Sequence, residues 1–502
     1  MVNLNLQFDF QKIDEKDIDY TYLPESLKHT SISLSEISSN TLRLDANAYN
    51  IDAKVAKDII SNNRYGVVNL WSEKNGLVQS AFHRPRFKRI YVNNKNEIPF
   101  FQPSNITDVY PKPTKYISNK TDTDIEALKI KKGMLLMTVS GTIGKVAIAG
   151  EKLHNQVFSH DLLRITGKGK YDTGYIYSYF LTKTGQSILQ SNNYGAVIKH
   201  IEPDHLENII IPNAPEKLKR EIHELVTKSY NLRDESNELI DEAEKMMYQE
   251  LQLEPVKDLE FKYFDSSQNV RNFSTRLSNL DLRLDSSYHT PTTQAILDTI
   301  EKSAAQIVQI RDSSVSKRIV LPGRFKRVYV DSQNGIPFFG GKQINELNPD
   351  TEKFLSKSIH GTRLGKELLL HENCILITRS GTIGKVSLVP KHWENCAANE
   401  HIIRLFPANK DIAGYTYCWL NSEYGIELIK RHTYGAVVDE IDDNHVGNIP
   451  LPLLKNFEKQ TEINNLVLSA NKLRYEAYLL EQQAMEEMED IIKSTKSDLK
   501  LL

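Results

Sequence analysis

Cysteine is scarce in this chain: three in 502 residues, Cys374, Cys396 and Cys418, all in the C-terminal half. An odd count with no C-x-x-C pair supports neither a disulfide framework nor a zinc site. Thiols this sparse suit a reducing cytoplasm, which is the expected location. No run of about 18 apolar residues occurs, so no membrane span is expected. The opening residues, MVNLNLQFDFQKIDEKDIDY, are acidic and lack the basic start and apolar centre of a secretory signal. An excess charge of one sign is missing too. Lys+Arg is 63 and Asp+Glu is 65, a formal net charge of -2. A nucleic-acid surface would therefore have to be local, offset by acid elsewhere. Catalytic signatures are absent as well. There is no G-x-G-x-x-G after a strand, no H-E-x-x-H, no G-x-S-x-G and no helicase-type nucleotide motif. The N/D-P-P-aromatic motif of amino-methyltransferases is also missing, since Asn348-Pro349-Asp350 lacks the second proline and the aromatic. His200, His205 and His445 have no second ligand at helical or turn spacing, so no metal is expected.

What the chain does have is a repeat. SGTIGKV occurs at Ser140–Val146 and at Ser380–Val386, YGAV at Tyr194–Val197 and Tyr434–Val437, and LRLD at Leu42–Asp45 and Leu282–Asp285, each 240 residues apart. RFKR (Arg86, Arg324) and IPFF (Ile98, Ile336) recur at 238, which places a two-residue indel between IPFF and SGTIGKV. Five motifs in one order make the chain a duplicated unit of about 240 residues. At roughly 100–200 residues per domain, its length allows two to four domains.

Each unit opens with short strand-like runs such as RFKRIYV, EIPFF, GMLLMTV and KVAIAG, separated by turn residues. Helical stretches follow at Tyr175–Leu189 and Tyr415–Ile429. This pattern reads as α+β. Each unit then closes on a long helix. Leu218, Ile222, Leu225, Ser229, Leu232, Ser236, Leu239, Ala243 and Met246 form a 4–3 heptad seam; Ile463, Leu466, Ala470, Leu473, Ala477, Leu480, Ala484, Glu487 and Ile491 form its counterpart. A helix of about 33 residues spans roughly 50 Å. Two seams of matching length and phase predict an antiparallel coiled coil, although each helix could instead pack on its own globule.

Between the shared motifs the copies diverge. Segment 102–136 has no visible likeness to 340–376, nor 152–160 to 392–400. Lys199 and His200 stand where the second copy has Asp439 and Glu440. SGTIGKV is not a phosphate loop, because its glycines are too close and valine follows the lysine. It reads as a tight strand–turn–strand that presents Ser140, Thr142 and Lys145, and in the second copy Arg379, Ser380, Thr382 and Lys385, as candidate phosphate contacts. The densest basic runs are Arg84, Arg86, Lys88 and Arg89, and Arg324, Lys326 and Arg327. These residues, with Lys199, are the candidate DNA contacts. Phe87, Tyr91, Phe325 and Tyr329 interleave with them, and strand alternation assigns these aromatics to the core.

LRLDANAYN and LRLDSSYH, together with the closing YGAVVDEIDDNHVGNIPLPLLKNFEKQTEI, resemble the specificity (S) subunits of type I restriction-modification systems. The resemblance covers nearly the whole chain and implies a tandem pair of α/β target recognition domains separated by two long helices in an antiparallel coiled coil, with pseudo-two-fold symmetry. It implies a lead at 1–41, recognition domains at 42–213 and 281–453, spacer helices at 214–253 and 454–502, and a linker at 254–280. The chain is long for such a subunit by about its 41-residue lead. The implied partners are double-stranded DNA, two methyltransferase subunits and a restriction/translocase subunit. S-adenosylmethionine and ATP would be bound by those partners, and this chain would hold no cofactor. Two rivals remain at this stage, a coiled-coil adaptor of a related defence complex and an enzyme with its own chemistry.

Overall fold

In the computed structural model the repeat folds the same way twice. The structure describes residues 31–39, 42–92, 97–113, 115–193, 199–263, 272–280, 282–349, 351–435 and 437–496. Most of the expected lead, the first-copy YGAV loop and Asp350 lie outside these residues.

Among the described residues the first copy has ten strands: β1 (Val67–Asn69), β2 (Val78–Phe82), β3 (Tyr91–Val92), β4 (Ile98–Phe101), β5 (Lys115–Ile117), β6 (Leu135–Thr138), β7 (Val146–Ile148), β8 (Val157–Phe158), β9 (Leu162–Gly167) and β10 (Ile210–Pro212). They form one sheet of order β2-β9-β6-β7, a second of order β3-β5-β4-β8 and the pair β1-β10. All pairings are antiparallel except β4 with β8. Its longer helices are α1 (Ile51–Ser61), α2 (Asp172–Leu181), α3 (Lys183–Ser191) and α4 (Glu216–Glu250). A further helix, α5 (Val256–Tyr263), leads towards the second copy. The second copy repeats the plan with β11 (Gln306–Gln309), β12 (Ser316–Val320), β13 (Tyr329–Val330), β14 (Gly335–Phe339), β15 (Phe354–Ser356), β16 (Ile375–Thr378), β17 (Val386–Leu388), β18 (Ala397–Ala398), β19 (Ile402–Pro407) and β20 (Pro450–Leu453). Its longer helices are α6 (Pro291–Ser303), α7 (Lys410–Asn421), α8 (Glu423–Arg431) and α9 (Phe457–Lys493). The sheet orders are β12-β19-β16-β17, β13-β15-β14-β18 and β11-β20.

Alternation along a central strand builds the layers. Leu135 and Met137 of β6 pack with the α2 and α3 side chains, while Leu136 between them packs with Phe101 and Phe158 of the second sheet. Ile375, Ile377 and Leu376 divide in the same way in the second copy. A strand buried on both faces reads as an unbroken apolar run, as LLM and ILI do here. The two expected helical stretches each break into a pair. Thr182 and Ser422 cap the second helix of each pair by accepting from the Gly185 and Gly425 amides, at 3.0 and 3.1 Å.

The central strands also carry an element that the sequence reading missed. Arg164 on β9 and Arg404 on β19 are buried, 1% and 0% exposed. Arg164 donates to the carbonyls of Leu162 (2.9 Å) and Leu128 (3.2 Å); Arg404 donates to those of Ile402, Ala398, Asn399 (3.1 Å) and Leu368 (3.5 Å). Leu128 and Leu368 belong to the divergent segments. One buried guanidinium per copy therefore ties a segment that differs between the copies to the sheet that both share. Burial lowers both groups to about 10.

The long helices pair antiparallel. Ile222 and Val226 share a core with Ala484 and Met488, and Ile240, Ala243 and Met247 share one with Ile463, Val467 and Ala470. Mid-helix, Ser229 Oγ donates to the Ala477 carbonyl at 2.7 Å, and Arg233 pairs with Glu481. The seam alternates 4 and 3 as expected, but one of its two lines is shifted by a residue. Ile222, Ser229, Ser236 and Ala243 lie in it, together with Val226, Ile240 and Met247 rather than Leu225, Leu239 and Met246. Leu225, Leu239 and Met246 pack on the domain cores instead. In α9 the shifted line runs Val467, Arg474, Glu481 and Met488. Each helix therefore serves both its partner and its domain.

Of the segment expected as a linker, 254–280, residues 264–271 lie outside those described. Val256 and Leu259 of α5 are buried in the second domain's core beside Ile296 and Ile300 of α6. At the other end of the coil, the Arg64 amide donates to the Ser494 carbonyl at 3.0 Å, so α9 ends on the first domain.

Candidate nucleic-acid interface

In both copies the basic run precedes a two-residue strand, and its aromatic residue packs edge-on: Phe87 on Phe100 at 6.2 Å and Phe325 on Phe338 at 6.3 Å. That anchoring leaves Arg86, Lys88, Arg324 and Lys326 exposed. Arg84 lies over the Phe82 ring at 4.7 Å. Arg89 turns inward, donating to Ser159 Oγ (2.9 Å) and Asp161 (3.3 Å), with His160 at 3.1 Å. Arg327 likewise pairs with the buried Glu400. These two arginines fasten the basic loop to the turn before β9 or β19, and the exposed residues beside them remain the candidate phosphate contacts.

The same corner receives the glycine turn and the stretch after YGAV. Gly141 and Gly144, and Gly381 and Gly384, have φ of 74°, 84°, 74° and 82°, a conformation open to glycine. Thr142 and Thr382 are exposed at the tips. Ser140 bridges to His200, and Ser380 to Glu440. Ser380 Oγ lies 2.8 Å from His401 Nδ1. In the second copy Glu440 pairs with Arg379 and lies 3.6 Å from Arg324. In the first, Val139 and His200 occupy those two positions, and His83 pairs instead with Glu202 at 2.7 Å. Lys199 is exposed. His160 is held below the usual histidine range, chiefly by burial; Asp161 opposes this, and Arg89, Arg86 and His83 add to it. Two corners of one backbone design thus carry different charge.

Lys145 and Lys385 sit elsewhere. Lys145 pairs with Glu346 of the opposite copy, whose side chain is 9% exposed. Lys385 faces Asp108 of the first copy. Both lysines face a carboxylate of the opposite copy. Both were expected as phosphate contacts, and Lys145 is paired with Glu346.

The sequence model of the type I restriction modification DNA specificity domain matches residues 77–245 and 325–467, more than half of the chain. The chain belongs to the type I restriction-modification DNA specificity family. It is an S subunit with two recognition domains, and both basic corners lie on them. Similar solved structures include the type I restriction-modification S subunit from M. genitalium, at 14% identity over 85% of this chain and 98% of that one, with a TM-score of 0.27. Another is the HsdS subunit from Thermoanaerobacter tengcongensis, at 13% identity over 84% and 98%, with a TM-score of 0.25. No curated protein matches the chain. Among the described residues of this S subunit, no helix is long and apolar enough to cross a membrane.

Proposed function

We propose that each half of this S subunit reads one part of a bipartite, asymmetric DNA target. One observation carries the reading: a single scaffold occurs twice about a pseudo-two-fold axis, with different segments held at the same place by Arg164 and Arg404. Identical frames hold two surfaces at a set separation, and unlike segments give unlike half-sites. Arg86, Lys88, Lys199, Arg324 and Lys326, with the Thr142 and Thr382 tips, supply phosphate contacts that are indifferent to sequence. Segments 102–136 and 340–376 supply the base contacts, which carry about 4–10 kcal/mol of preference over nonspecific DNA. The chain does no chemistry itself. Two methyltransferase subunits dock on the pseudo-symmetric frame and bring S-adenosylmethionine; a restriction/translocase subunit brings ATP.

The test is to co-express the chain with its methyltransferase in a methylation-free host and to map modified adenines. A single bipartite motif, with one half altered when segment 98–146 is exchanged for that of another S subunit, supports the reading. A stable complex that leaves the genome unmodified refutes it and favours an adaptor that binds protein only.

A further inference from the structure

The stretch that follows α8 in the second domain closes into a tight hairpin, 434–440. The Tyr434 amide donates to the Glu440 carbonyl at 3.0 Å, and the Glu440 amide donates back at 2.7 Å. Gly435 makes the turn: its φ is 120°, and a Cβ there would lie 2.2 Å from the Val438 carbonyl oxygen. The base of the hairpin is fixed to the glycine turn, because the Ile441 amide donates to the Arg379 carbonyl at 2.9 Å and Ser380 bridges to Glu440. The Glu440 side chain ties it to the basic corner as well, pairing with Arg379 and lying 3.6 Å from Arg324. A tip held by its own backbone has less ordering left to lose on binding.

The tip carries the reverse of what a phosphate contact needs. Val437 and Val438 are 97% and 54% exposed. Asp439 beside them is exposed and pairs with no cation among the described residues. Aliphatic groups offer a phosphate nothing, and a carboxylate repels it. In a major groove the same groups have partners: an apolar side chain packs on a thymine methyl, and a carboxylate accepts from the N4 amine of cytosine. Arg324 and Lys326, exposed at the same corner, supply the attraction that brings the tip to DNA. The first copy has Val197 and Ile198 where the second has Val437 and Val438, but Lys199 where the second has Asp439. The apolar pair is common to both copies and the charge after it is reversed, as a reading position on a shared frame requires.

We propose that this hairpin enters the major groove of the second half-site, where Asp439 selects cytosine through its N4 amine and Val437 packs on a neighbouring base edge. The inference rests on the half-site reading above and adds a base-reading element to segment 340–376. Asp439 is then a specificity-determining residue outside that segment.

The test uses the full chain with its methyltransferase. Modified adenines are mapped for the parent, Asp439→Ala, Asp439→Lys and Val437→Ser. Each complex is also titrated with duplexes that carry every single-base change in the second half-site. The parent is expected to disfavour replacement of one cytosine by about 5- to 150-fold, the span of a single mismatch. Asp439→Ala removes that preference and leaves the first half-site and the gap unchanged. Asp439→Lys moves the preference at that position to guanine, whose O6 and N7 are acceptors. Val437→Ser weakens discrimination at an adjacent position. A parent motif kept at every position by both Asp439 variants overturns the inference. A uniform loss of affinity over all duplexes also overturns it, since the hairpin would then touch only the DNA backbone. Loss of the methyltransferase from the complex, with base preference intact, overturns it in favour of a protein-docking hairpin. A parent that methylates no bipartite motif overturns the half-site reading itself, and this inference falls with it.

Discussion

Glu481 offers a measurable test of how the spacer is held. Its side chain is 3% exposed, pairs with Arg233 and accepts from the Tyr177 hydroxyl at 2.5 Å. Arg233 also lies 4.3 Å above the Tyr230 ring. Glu481→Leu leaves a guanidinium without its counter-charge in the seam, at a cost of about 3–5 kcal/mol. The orphaned Tyr177 hydroxyl adds about 1–3 kcal/mol, and burying the new leucine returns about 2 kcal/mol. The net loss is about 2–6 kcal/mol. Arg233→Leu with Glu481→Leu removes both charges and restores stability to near the parent, because a buried pair replaced whole by apolar groups is often neutral or better. The coupling between the two sites is then about 3 kcal/mol or more. The assay is urea unfolding of the parent, both single variants and the double, followed by far-UV circular dichroism. Losses that add, with the double variant as weak as the sum of the singles, would refute the reasoning. So would a Glu481→Leu variant as stable as the parent.

Other outcomes follow from the same structure. Arg324→Ala with Lys326→Ala should weaken DNA binding and reduce the slope of log K against log salt by about 2, at about 0.9 per phosphate contact; an unchanged slope removes these residues from the interface. Gly414→Ala places a Cβ 2.3 Å from the Asn464 carbonyl, where α7 meets α9. It should cost about 1–3 kcal/mol, whereas Gly361→Ala, with nothing within 4 Å, should not lower the urea midpoint. Asp108 is pushed up to about 6 by burial, opposed by its bond from Asn105 and by Lys385. A folded value above the unfolded one favours the fold at low pH, and that contribution is lost as pH rises through about 6. Asp108→Asn should therefore gain on the parent in midpoint between pH 5 and pH 8; a difference independent of pH contradicts this. Arg404→Met leaves four carbonyls without their donor and should lower the midpoint more than Lys326→Met, which removes an exposed side chain.

The duplication, the strand pattern and the glycine turns were legible because each depends on residues close in sequence. Alternation in LLM and ILI, and positive φ at Gly141 and Gly381, are local properties of the backbone. The 4–3 spacing likewise marked the long helices. It assigned one of the two seam lines to leucines, because a local pattern scores hydrophobicity and does not see partners. Leu225 and Leu239 had a second apolar surface to cover, the domain cores, and left the seam to Arg233, Arg474 and Glu481. Polar partners arrive there from the other helix: Glu481 pairs with Arg233, 248 residues away, and Arg474 donates to Ser236 and Asn237.

By itself, then, the sequence determined that one unit is used twice, that each unit is a layered α+β domain closed by a long helix, and which family the chain resembles. Only the tertiary structure decided where the charges go. Arg89, Arg327 and Arg379 are taken up by carboxylates of their own domain, and Lys145 by one from the other copy. Arg86, Lys88 and Lys326 are left exposed. The physical reason is that whether a cation is free depends on the carboxylates within a few ångströms of it, and folding brings those from 61 to 201 residues away.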